Sequence, residues 1–323
     1  MVKILTSFAA LLSVASVTSA TFLPFWPTYK GWKNIDTLFV FGDSYTQTGF
    51  NLTNGSPLPS KSNTFGNPPF PGWTSANGPN WIGYLATSYN KTRQSVWNLA
   101  YGGATIDSEL VKPWRDDVLS LKDQVNNLFV PYLAKPTAPA NLKWKADKSL
   151  FLFWIGINDI GNSYWLGDFD NFHKKLLDEY FTLVNTLYSK GARNFVFLTV
   201  PPVERSPLIL GQGEWSIENE GLALASFNAK LNTYVKEFQK KNRAAWTKVF
   251  DTKPVFDQML DQPAKYGFGN VTSYCDDYQN GTPAWDTYYE QCAIPVDQYF
   301  WLNSLHPTHK VHKEVAKRLA RVL

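Results

Sequence analysis

The chain has 323 residues, of which 44% are apolar, 18% charged and 16% aromatic, with a formal charge of +4. That length suits one large α/β unit with long loops. Lys and Arg are spread among the acids rather than gathered into a basic stripe, so nothing points to a nucleic-acid or membrane-surface role, and the absence of internal repeats excludes a solenoid.

In chain order, Lys3, the apolar stretch Ile4 to Val17 and the small residues Thr18, Ser19 and Ala20 read as a secretory signal cleaved after Ala20. A membrane anchor fits less well, because the stretch is short of the roughly 20 residues that span a bilayer and is broken by Ser7 and Ser13. The expected mature protein is exported and soluble, a single domain over residues 21–323. Short β-branched or aromatic runs then alternate with helical patterns, the sign of a parallel sheet covered on both faces. Strands are predicted at Thr37 to Phe41, Ser95 to Leu99, Ser149 to Ile155, Asn194 to Val200 and Lys248 to Asp251. Helices are predicted at Trp81 to Ser88, Leu119 to Leu128, Asn171 to Lys190, Glu220 to Lys240 and Thr308 to Leu323. In the third helix Phe172, Leu176, Leu177, Tyr180, Leu183, Val184 and Leu187 recur at spacings of three and four, as one buried face requires. The order predicts a three-layer α/β/α sandwich of about five parallel strands, which binds ligands at the carboxyl ends of its strands.

Between these elements, Asn51 to Asn80 is rich in Pro, Gly and Ser but also carries Phe65, Phe70 and Trp73, so it reads as a folded loop rather than a linker. Loop Trp and Tyr residues suit flat apolar faces such as those of sugar rings. Glycosylation sequons stand at Asn51, Asn54, Asn90, Asn270 and Asn280, with Pro57 after the second of them disfavouring Asn54. The two cysteines, Cys275 and Cys292, are expected to form a disulfide in an exported protein. A zinc site would need more ligands than two thiols supply, and His309 and His312 on the closing helix read as a solvated face, so no metal or organic cofactor is expected.

Three strand ends and the segment before the closing helix carry the chemistry. Strand one ends in Gly42, Asp43 and Ser44; strand two runs into Asn98 to Gly103; strand three ends in Gly156, Ile157, Asn158 and Asp159; and WLNSLHPT, with Asn303 and His306, precedes the closing helix. A serine hydroxyl is a weak nucleophile at neutral pH and needs a base within hydrogen-bond reach, for which His306 is the best candidate among four histidines. Attack on an ester places negative charge on the carbonyl oxygen, and the N–H groups of Ser44 and Gly103 with the Asn158 amide offer three donors for it. Gly102 beside Gly103 leaves the choice between these two glycines open, and Asp159 reads as a turn-stabilising residue.

These four blocks resemble those of the GDSL, or SGNH, hydrolases, which have a flavodoxin-like fold. The resemblance spans nearly the whole of residues 21–323 and implies Ser44 as nucleophile, Gly103 and Asn158 as oxyanion donors and His306 as base. With the long aromatic loops and the signal segment, WLNSLHPT is most similar to fungal secreted acetylesterases of carbohydrate esterase family 16. The family places an aspartate three residues before the histidine, and this chain has Asn303 there. An amide accepts a hydrogen bond from imidazole but cannot offset its charge. Three arrangements stay open: Asn303 as orienter, a carboxylate from elsewhere such as Asp297, or a dyad helped by a backbone carbonyl. The resemblance thus implies a monomeric, cofactor-free secreted esterase that removes acetyl groups from hemicellulose-derived xylo- or manno-oligosaccharides. The alternatives are a lipase or phospholipase with the same site, and a sugar-binding protein whose site has decayed.

Overall fold

A computed structural model describes residues 29–134, 139 and 142–323; the expected signal segment lies outside them. Five strands, β1 (Thr37–Gly42), β2 (Ser95–Asn98), β3 (Ser149–Trp154), β4 (Asn194–Leu198) and β5 (Trp246–Phe250), form one parallel sheet in the order β2-β1-β3-β4-β5. In register, Thr37 of β1 lies between Ser95 of β2 and Ser149 of β3. Every residue of β1 to β4 is buried, which is why these strands read as continuous apolar runs. Only β5, at the edge, is partly exposed.

Alternate residues of β3 serve opposite layers. Phe153 packs on Tyr180 of the helix Phe169–Ser189, whereas Trp154 meets Phe256 of the helix Lys253–Asp261 and His312 of the closing helix His309–Val322. The closing helix also packs on Trp81–Thr87, and the 28-residue helix Glu214–Lys241 lies against Phe169–Ser189. The latter starts where Asp168 accepts from the Asn171 N–H and stops at Gly191, whose φ of +106° a side chain would oppose.

Three helical expectations shift. Glu214–Lys241 begins earlier than its apolar pattern, and the expected helix at 119–128 is α-helical only over Leu121–Asp123 before it widens into a π-helical stretch, Gln124–Phe129. Lys253–Asp261 lies outside the expected helices; its Pro254 falls in the first turn, where proline leaves no helical hydrogen bond unmade. His309 and His312 do not form a solvated face. His312 is buried against Tyr45 and Trp154, and His309 bonds through Nδ1 to the Tyr84 hydroxyl at 2.7 Å, because the helix face they share is the one that packs on the molecule.

Cys275 and Cys292 are joined by a disulfide. With Tyr278, Val296, Tyr299 and Leu302, Cys292 builds a small separate core beneath the segment that leads to His306. A bridge over a loop of 17 residues stabilises it by about 3 kcal/mol in the loop-entropy picture.

Candidate active site

β1 lies at the point where the strand order reverses, and its last residue, Gly42, delivers Asp43 and Ser44 to the carboxyl edge of the sheet. The Asp43 carboxylate accepts the Tyr45 N–H at 3.0 Å and the Asp43 carbonyl accepts those of Thr46 and Gln47, a tight turn that aims the Ser44 side chain outward. Ser44 Oγ lies 2.7 Å from His306 Nε2, across 262 residues of chain.

On the other side of the ring, Nδ1 of His306 is 3.0 Å from Asn303 Oδ1. That same oxygen accepts the N–H groups of Leu305 at 3.1 Å and His306 at 2.9 Å. Two backbone donors facing one amide atom identify it as the oxygen, so Nδ1 must carry a hydrogen to bond with it. The Nε2 lone pair is then left to accept the Ser44 hydroxyl proton. Withdrawal from water holds the imidazole down to about 4 from its ordinary 6.5, so the ring is neutral and proton-accepting at neutral pH. Asn303 is therefore the hydrogen-bond partner of the His306 ring. Asp297, the other candidate, faces Lys310 at 3.3 Å instead.

Gly103 and Asn158 border the same cleft as Ser44 and His306. Gly103 has a φ of +83°, and a Cβ there would collide with the Trp114 indole. Gly102 lines the cleft without a left-handed conformation, which favours Gly103 as the position that demands glycine. Neither the Ser44 nor the Gly103 N–H meets an acceptor among the described residues. Asn158 spends one amide N–H on the Ala104 carbonyl at 2.9 Å, leaving its second for an incoming oxygen. Asp159, as expected, is structural: buried, it accepts the Ile106 N–H and fixes the loop that carries Gly103. Burial pushes its carboxyl up to about 7 and that of Asp43 up to about 8. A hydroxyl paired with a neutral, oriented imidazole, beside N–H groups free to receive an oxyanion, is equipped for acyl transfer.

A model of the GDSL-like lipase/acylhydrolase family matches residues 38–319. The chain is 37% identical to an acetylesterase of Thermothelomyces thermophilus over 88% of its own length and 86% of that protein. The chain belongs to the GDSL-like lipase/acylhydrolase family. A thermolabile hemolysin of Vibrio parahaemolyticus is 26% identical, over 88% of this chain and 63% of its own. Among solved structures, a lipolytic G-D-S-L protein of Veillonella parvula aligns with a TM-score of 0.46 and 13% identity, covering 89% of this chain and 97% of its own. This member of the GDSL-like family is a carboxylic ester hydrolase, which sets aside the sugar-binding alternative.

Three positioning residues of this GDSL-like hydrolase escaped the sequence reading. Gln124 is fully buried and pairs with both backbone groups of Gly42, accepting its N–H at 3.0 Å and donating to its carbonyl at 2.8 Å, so a side chain completes the strand end past the last residue paired with β2. Asn98 donates to the Thr46 carbonyl at 2.7 Å and the Thr48 hydroxyl at 3.1 Å, and accepts the Ala100 N–H, which couples the Ser44 turn to the approach to Gly103. Tyr45, next to the serine, donates its hydroxyl to the Leu305 carbonyl at 2.6 Å and so ties the Ser44 turn to the His306 loop. No local pattern announces these bonds, because every partner except Ala100 lies 50 or more residues away.

The cleft has two lobes. The larger, of about 780 Å³, contains Ser44, Gly103 and Asn158 and is walled by Phe50, Leu119 and Leu128. The smaller, of about 630 Å³, lies beyond His306 and Asn303 and is bordered by Asn77, Thr282 and Trp285. His306 and Trp73 line both. Trp73 is 73% exposed, held by its N–H on the Thr48 carbonyl and by its ring lying close over Gly49, which has no side chain to obstruct it.

Proposed function

We propose that this ester hydrolase is a secreted acetylesterase that removes O-acetyl groups from hemicellulose-derived oligosaccharides through an acyl-enzyme on Ser44. The observation that carries the mechanism is the 2.7 Å approach of Ser44 Oγ to His306 Nε2. As Oγ bonds to the ester carbon, its proton passes to Nε2, and Asn303 Oδ1 holds Nδ1–H and with it the tautomer. The N–H groups of Ser44 and Gly103 and the Asn158 amide receive the oxyanion. Collapse breaks the carbon–oxygen bond to the sugar, whose oxygen takes the proton from Nε2. Water, deprotonated by the same imidazole, then releases acetate and restores Ser44.

The substrate class is supported by the similarity to an acetylesterase and by the exposed indoles of Trp73, Trp114 and Trp285 at the cleft. Export, cleavage after Ala20 and a single monomeric domain over 21–323 belong to the same proposal, as do glycans at the sequons. Asn51, Asn54 and Asn280 are exposed, whereas Asn90 and Asn270 are half-buried with their amides bonded to Thr92 and Ser273. None of the described helices is long and apolar enough to cross a membrane.

Covalent capture by an organophosphonate tests the mechanism: mass spectrometry should place the adduct on Ser44, and full activity in Ser44→Ala would end the proposal. A second reading, hydrolysis of lipid esters, draws on the apolar wall of the larger lobe. Acetylated xylo-oligosaccharides and long-chain glycerides assayed side by side decide between them, a preference for glycerides reversing the choice.

A further inference from the structure

We infer that the smaller lobe, beyond His306, is the subsite for the leaving saccharide, with the Trp285 indole as a platform for a sugar ring next to the acetylated one. The inference rests on the acyl-transfer reading above and on where the proton must go. In the tetrahedral intermediate one bond runs to Ser44 Oγ and the anionic oxygen faces the donors of the larger lobe. The oxygen that departs must come within hydrogen-bond reach of His306 Nε2 to collect its proton. The alcohol therefore leaves on the imidazole side of the cleft. The smaller lobe opens there, sharing His306 with the larger one and containing none of the oxyanion donors.

The lobe's construction matches a sugar rather than an acyl chain. Its rim is polar and rigid: Asn77 donates to the Thr282 hydroxyl at 2.8 Å and accepts the Thr282 N–H at 2.8 Å, which locks together two turns 205 residues apart. Trp285 rests on the His309 ring, centroids 5.6 Å apart, and close to Gly78, yet 44% of it stays open to solvent. An indole held in place by packing, with its remaining face exposed in a polar hollow, is suited to stacking on the C–H face of a pyranose. Trp73, at the junction of the lobes, offers a second exposed ring where the acetylated sugar would pass.

Hydrolysis of ethyl acetate, whose alcohol is too short to enter the lobe, is the reference reaction, and acetylated xylotriose the extended substrate. In Trp285→Ala the ratio of kcat/KM for acetylated xylotriose to that for ethyl acetate should fall about tenfold, through KM, as expected when a stacking contact is lost. Unacetylated xylotriose should inhibit ethyl acetate hydrolysis by the wild type and do so about tenfold less well in the variant. Trp285→Phe, which keeps a ring, should recover most of both effects. An unchanged ratio with unchanged inhibition overturns the subsite, as does a loss that falls equally on both substrates. Failure of the underlying reading looks different: a wild type unable to hydrolyse ethyl acetate refutes acyl transfer itself, and one that hydrolyses ethyl acetate but not acetylated xylotriose refutes the saccharide class.

Discussion

Ser44 and His306 meet at 2.7 Å, but the segments that carry them are held by different means. The Ser44 turn grows from a strand buried along its whole length and is backed by Gln124, Asn98 and two carboxyls, Asp43 and Asp159, that burial drives toward neutrality. The His306 segment is irregular, anchored by the disulfide-linked satellite core, by Tyr45 and by one amide oxygen that receives three N–H groups. Among the described residues no carboxylate is hydrogen-bonded to its ring, and burial lowers its proton affinity. Ser44 is thus placed chiefly by the end of a strand, and His306 by side chains that fasten an irregular segment.

Removing the base should have the largest effect. His306→Ala is expected to lower turnover by about 10⁴, with a far smaller loss in Asn303→Ala if the amide only orients the ring; equal losses in steady-state assays would show that the amide is indispensable. Asn158→Ala should cost about 10² to 10³ in kcat with KM little changed, the signature of a donor to the oxyanion. Gln124→Ala, which leaves the Gly42 N–H without its acceptor while the Gly42 carbonyl keeps the Tyr101 N–H, should reduce unfolding stability by about 1 to 3 kcal/mol in urea titration. No loss there would mean that the strand end holds itself.

Smaller effects appear in pH profiles. His306 must be neutral to act, so kcat/KM should persist in acid and decline only as pH falls through about 4. Asn303→Asp puts a negative charge against Nδ1–H, which favours the imidazolium, and the acid limb should move upward by about one unit or more. An unmoved limb would show that position 303 does not reach the ring electrostatically. Asp43 titrates near 3.8 when unfolded and about 8 when folded, so its burial costs nothing below the first value and an increasing amount as pH rises to the second. Melting temperature should accordingly decline across that window, and Asp43→Asn, which keeps an acceptor for the Tyr45 N–H, should flatten the slope.

The asymmetry also explains what was legible in the sequence. The five strands stood out because strands buried on both faces are nearly all apolar, and their ends exposed Ser44, Gly103 and Asn158 by position. His306 could be chosen because there are few histidines, and Asn303 by its spacing from it. Gln124 was hidden because a buried glutamine within a helical pattern looks like any helix former, and its partner is 82 residues distant. Tyr45 is a core residue whose hydroxyl binds a segment 260 residues away, which its neighbours in sequence do not announce. The orientation of His309 and His312 depended on which face of the closing helix the molecule covers, a fact their local spacing does not contain.

The Trp73 ring lies so near the Gly49 backbone that a methyl group added there would approach the indole to 2.7 Å. Position 49 therefore sets where the wall between two compartments can stand: Gly49→Ala, at a φ of +73° that opposes a side chain, would push that wall aside. A variant of this kind is expected to shift the ratio of kcat/KM between acetylated xylotriose and ethyl acetate, so that one added carbon would change which esters are favoured.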